Sequence, residues 1–93
     1  MPLSSDPTAY PVHRSALDRA LTAPRGISMA FASAEAAISF RHRCYAFRKA
    51  YRRALTPGTA SPYDAIAIVL TEATLTLMPF ADASVSGAEI TEL

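Results

Sequence analysis

From Ile27 the chain alternates in size. Ile27, Met29 and Phe31 are large and apolar, while Ser28, Ala30 and Ala32 between them are small. Period two over this stretch predicts a strand with one well-buried face. Upstream, in VHRSALDRAL, Val12, Ala16, Leu17, Ala20 and Leu21 recur at helical spacing and predict a short helix. Pro11 suits its first turn, having no N–H to lose, and Pro24 forbids extension beyond Ala23. Ser33 can cap a second helix, and Glu35 falls in its first turn, where a carboxylate complements the helix dipole. Neither Pro nor Gly interrupts until Thr56-Pro57-Gly58, so this helix runs from about Ala34 to Leu55.

YDAIAIVLTEATLTLMPF predicts two further strands. With a loop centred on Glu72 and Ala73, Leu70 falls opposite Leu75 and Ile68 opposite Leu77. All four then share a face, so the apolar pattern and the hairpin register agree. The loop lacks Gly and Asn, which favours a four-residue connection around a type I turn over a tight primed one. Pro79 ends the second strand or places it on an edge. SGAEITEL offers one more short strand through Ala88 and Ile90.

The expected fold is α+β: a short N-terminal helix, then strand, long helix, strand, strand. The long helix packs on a three- to four-stranded, largely antiparallel sheet. Residues 1–11, with three prolines, form an irregular arm, and residues 12–93 form one domain. The second face of the sheet, with Ala30, Ala32, Ala67, Val69 and Met78, needs a cover. Either the first helix supplies it through Leu17 and Leu21, or a second copy does, making a homodimer.

Charge changes this picture. RHRCYAFRKAYRR, residues 41–53, holds six of the nine Lys and Arg residues of the 93-residue chain and no acid. From Ala54 onward there is no Lys or Arg, but there are Asp64, Glu72, Asp82, Glu89 and Glu92. The net charge is only +1, so the cluster rather than the total steers partners.

On a helical projection Ala37, Phe40, Cys44, Phe47, Tyr51 and Leu55 form the packing arc, with Ala36 and Ala54 at its edge. Arg41, Arg48 and Arg52 line one flank with Tyr45 among them. His42, Lys49 and Arg53 continue onto the outer face, and Arg43 stands alone on the opposite flank. Like charges four apart, Arg48 with Arg52 and Lys49 with Arg53, each cost about 0.2–0.5 kcal/mol unless neutralised. The neutralising group is either an external anion or the chain's own acids. Guanidinium forks suit phosphate and carboxylate, and Tyr45 can stack on a base. Nucleic acid is therefore the first expectation, contacted by Arg41, His42, Tyr45, Arg48, Lys49, Arg52 and Arg53. An acidic protein surface is the second, and a solvated or internally paired face the third.

Other chemistry is thin. Cys44, alone and within the apolar arc, behaves as a small hydrophobe and excludes an intrachain disulfide. His13 and His42 are isolated and suit surface positions rather than a metal site. Tyr63 and Asp64, in SPYD, read as a proline-bound turn. The three glycines stand singly, so there is no phosphate loop. The expectation is a non-enzymatic protein with no catalytic residues, metal or cofactor. No apolar run approaches the roughly 18–20 residues that span a bilayer, and the N-terminus lacks a secretory pattern, which points to the cytoplasm.

GISMAFASAEAAISFRHRCYAFRKAYRRAL, followed by SPYDAIAIVL, resembles small uncharacterised accessory proteins of tailed bacteriophages. The likeness covers roughly residues 13–78, with RSALDRAL, FRHRCYAFRKA and SPYDAIAI as its markers, and it carries over no catalytic residues. The resemblance implies an accessory protein working inside an infected bacterium. Such a protein binds phage nucleic acid, or inhibits host machinery, including defence nucleoproteins in the anti-CRISPR manner. In the second case the same helix would meet an acidic host protein.

Overall fold

The computed structural model describes residues 4–79. The short strand expected through Ala88 and Ile90 lies outside the described residues. Helix α1 (Pro11–Thr22) starts on its proline and ends where the Ala23 N–H donates to the Arg19 carbonyl, just before Pro24. Strand β1 (Ile27–Ala30) leads into α2 (Ala34–Ala54). There the Ser33 hydroxyl accepts the Ala36 N–H at 3.1 Å, satisfying one otherwise unpaired first-turn donor. Arg52 and Arg53 fall in the last turn of α2, where the dipole favours cations. Strands β2 (Ile66–Thr71) and β3 (Thr74–Pro79) complete the α+β fold.

The sheet is antiparallel with β3 central, in the order β1-β3-β2. Leu70 faces Leu75 and Ile68 faces Leu77, the register that the apolar pattern requires. On the other side of β3, Met29 faces Leu75 and Ile27 faces Leu77. One sheet face is therefore uniformly aliphatic, and Leu75 and Leu77 are fully buried on it. Each contributes about 1.5–3 kcal/mol by leaving water.

The hairpin turn is tighter than its composition suggests. Thr71 pairs with Thr74, so only Glu72 and Ala73 form the loop. Glu72 takes φ 54°, the sole non-glycine positive φ among the described residues. A positive φ at the first loop residue alone is the sign pattern of a type II′ turn, whose twist matches the flanking strands. The expected four-residue type I connection is thus replaced. Strand pairing on both sides of the loop outweighs the cost of a left-handed Glu.

Helix α1 does not cover the second sheet face through Leu17 and Leu21. It packs beside α2 on the same face, and Leu17 joins Phe47, Leu75 and Leu77 in one fully buried cluster. Leu21 is left 41% exposed. The opposite face carries Ser28 and Thr76, whose hydroxyls lie 3.3 Å apart, and an exposed Val69.

The core has a continuous aromatic spine. Phe31 meets Phe40, Phe40 meets His13, and His13 meets Tyr10. Tyr10 meets Phe47, which meets Tyr51 and Tyr63. Three of these contacts are edge-on and three tilted, and none is a face-to-face stack, which ring quadrupoles disfavour. The Tyr63 hydroxyl donates to Asp18 Oδ1 at 2.6 Å, tying the Pro62–Ala65 turn to α1.

Candidate functional site

Helix α2 buries Ala37, Cys44, Phe47 and Ala50. Phe40 and Tyr51 are partly buried beside them, whereas Ala36 and Ala54 stay exposed. Ala50 was absent from the expected arc. It is buried because the N-terminal residues cross α2 there, as the notch formed by Ser4, Ser5, Ala46 and Ala50 records.

The basic residues divide into two stripes with different fates. On the first, Arg48 is only 16% exposed. One of its terminal nitrogens donates to the Ile66 carbonyl at 2.8 Å. Counted from the two-residue turn, Ile66 sits at a non-hydrogen-bonded position of the ladder, so its carbonyl points away from β3 at the sheet edge. Arg48 satisfies it. Arg52 grips Asp64 with both prongs of its fork, at 3.0 and 2.9 Å. The Arg48 Nε lies 3.8 Å from the same carboxylate. The hydrogen bonds from Arg52 hold the Asp64 carboxyl below the usual Asp range, against a smaller opposing effect of burial. Arg41, at the other end of the stripe, is partly buried, and its Nε has no hydrogen-bond partner among the described residues.

On the second stripe His42, Lys49 and Arg53 are exposed and make no ion pair among the described residues. Tyr45 stands between the stripes, 42% exposed, with the Arg48 guanidinium 5.3 Å from its ring centre. Apart from Tyr45, every Tyr and Phe among the described residues belongs to the aromatic spine. Arg43 lies away from both stripes, beside His13 and Phe31.

All nine Lys and Arg residues fall among the described residues, with five of the eight acids: Asp6, Asp18, Glu35, Asp64 and Glu72. Of these, Asp18 lies 3.8 Å from Arg14 and Asp64 engages Arg48 and Arg52. No other ion pair forms among the described residues.

Two expectations about single residues need revision. Asp64 is more than a turn residue, since it anchors two arginines of α2. Nothing in the local spacing announced this, because Arg52 is twelve positions away along the chain. His13 is half-buried rather than fully at the surface. It packs 4.4 Å from the Phe40 ring, and burial, with Arg43 assisting, pushes its pKa below the ordinary histidine value. Cys44 is fully buried, and burial pushes its thiol up to about 12 despite nearby Arg48. Its thiol is therefore protonated and enclosed at neutral pH.

Among the described residues no group of three His, Cys, Asp or Glu side chains is placed to hold a metal ion. Nor is any described helix long and apolar enough to cross a membrane. Comparison with protein families, with curated proteins and with solved structures gives no match for this chain. The chemistry of the α2 surface is what bears on function.

Proposed function

We propose that this protein is a non-enzymatic nucleic-acid-binding protein that works through the outer face of α2. The observation that carries the reading is Tyr45. It is the one Tyr or Phe of the described residues held outside the core. It stands between Arg48, which is paired with Asp64, and the stripe of His42, Lys49 and Arg53, which makes no ion pair among the described residues. Lys49, Arg53 and His42 would meet phosphates, with Arg41 at the N-terminal side. Tyr45, braced by Arg48, would stack on an unpaired base. Arg48 and Arg52 contribute mainly by fixing this face to the β2 edge through Ile66 and Asp64. An accessory role in an infected bacterium belongs to the same proposal.

Such a surface recognises charge and a π-face, not base edges, so binding would be sequence-tolerant and would favour single strands. Tyr45→Ala should weaken binding to single-stranded DNA or RNA by about 1–3 kcal/mol and affect duplex binding much less. Equal losses on both would remove the stacking role. Saturable one-to-one binding to a single acidic host protein, unchanged by added DNA, would assign the face to a protein partner instead.

A further inference from the structure

A notch of about 220 Å³ opens where the first described residues cross α2, lined by Ser4, Ser5, Ala46, Lys49, Ala50 and Arg53. We infer that this notch seats one phosphate group of the bound strand, with Lys49 and Arg53 supplying charge and Ser4 and Ser5 supplying hydroxyl donors. The inference rests on the nucleic-acid reading of α2 and deepens it. It adds a second element, the N-terminal arm, to a site otherwise built from one helix.

Four observations converge on it. Lys49 and Arg53 lie one turn apart, and their mutual repulsion is relieved by an anion between them. The floor between them is the partly exposed Ala46, whose small side chain lets an oxyanion approach the helix, with the buried Ala50 beside it under the arm. The arm is held in place: the Tyr10 hydroxyl donates to the Ser4 carbonyl, and the Asp6 N–H donates to Ser4 Oγ at 3.0 Å. With its oxygen already accepting, the Ser4 hydroxyl keeps its proton for an incoming acceptor.

Finally, the arm's only described acid, Asp6, makes no ion pair with Lys49 or Arg53. Asp6 Oδ1 accepts from the Thr8 N–H at 2.9 Å and from the Thr8 hydroxyl at 2.7 Å. The volume falls below the ~300 Å³ at which pockets begin to enclose whole small molecules, so the notch suits a group rather than a complete ligand.

The test is amide and side-chain NMR titration of the full chain with two probes, inorganic phosphate and a short deoxythymidine oligonucleotide. It is repeated on the double variant Ser4→Ala/Ser5→Ala, whose replaced side chains are exposed. The expected result is that both probes shift Ser4, Ser5, Lys49 and Arg53 together, and that the variant binds the oligonucleotide at least about fivefold more weakly. Oligonucleotide binding that moves Lys49 and Arg53 but leaves Ser4 and Ser5 still, with unchanged affinity in the variant, overturns the notch and keeps the nucleic-acid reading. Phosphate seated at the four residues without oligonucleotide binding keeps the notch and overturns that reading. Silence with both probes overturns both.

Discussion

Asp64 decides how much of the basic helix remains available to a ligand. By holding Arg52 at two points and drawing in Arg48, it converts two of the three arginines of one stripe into structure and leaves the other stripe to solvent. Glutamate substitutions at Arg48 and Arg52 would therefore disturb the fold as well as any interface. At Lys49 and Arg53 they break no ion pair among the described residues, and at Arg53 they cost only a favourable place in the last turn of α2. The pairing also fixes a pH dependence. The folded-state pKa of Asp64 is depressed, chiefly by hydrogen bonds from Arg52, so the unfolded chain takes up its proton first on acidification. Its contribution to stability is present above the ordinary Asp value and is lost as pH falls through the folded value. His13, also depressed, acts with the same sign nearer the ordinary histidine value. Urea midpoints from pH 8 to pH 3 should fall in two stages, and Asp64→Asn should flatten the acid stage; an unchanged acid stage would contradict the clamp. Cys44 gives a second check at this scale. With a buried thiol raised to about 12, it should resist a disulfide labelling reagent at pH 8 until urea opens the fold. Rapid labelling of native protein would contradict its enclosure. The environment of Cys44 was legible from the helical projection. The clamp was not, because it joins a helix to a turn through tertiary contact, and SPYD has a sufficient local reading as a turn.

At the scale of elements, periodicity carried most of the information. The α2 boundaries, the Ser33 cap and the β2–β3 register all followed from apolar spacing and from where Pro and Gly stand. Two features did not. The turn at Glu72 departs from its composition because pairing on either side imposes the left-handed residue. The placement of α1 was the other: Leu17 and Leu21 were expected against the second sheet face, but Leu17 is buried with Phe47, Leu75 and Leu77 on the face that α2 occupies and Leu21 is exposed. Which face a short amphipathic helix takes is decided by tertiary packing rather than by its own spacing. Gly26 marks the junction that makes this arrangement possible. Its φ is +81°, and an added Cβ would sit 2.0 Å from the Leu77 carbonyl oxygen. Entry into β1 thus requires glycine on two grounds. Gly26→Ala should destabilise the protein by at least ~1–3 kcal/mol from the backbone conformation alone, read as a lower urea midpoint with unchanged far-ultraviolet circular dichroism. A midpoint equal to wild type would contradict the close approach of β1's entry to β3.

At the largest scale, α1 and α2 occupy one sheet face and all nine basic residues of the chain lie among the described residues 4–79. The near-neutral total conceals this, and reading charge by segment exposes it. What segmental charge does not reveal is the division of labour within the cluster, since that depends on which arginines the sheet edge and Asp64 engage. Binding of nucleic-acid phosphates by the outer face of α2 would show first in the salt dependence of affinity. Fluorescence anisotropy of labelled single- and double-stranded DNA and RNA would be followed at several salt concentrations for wild type and for Lys49→Glu/Arg53→Glu. Phosphate contacts on this face require a linear fall of log affinity with log salt, with the slope reduced by roughly 0.7–0.9 for each contact removed. Absence of binding at low salt by the folded wild type, or an identical slope in the variant, would contradict them.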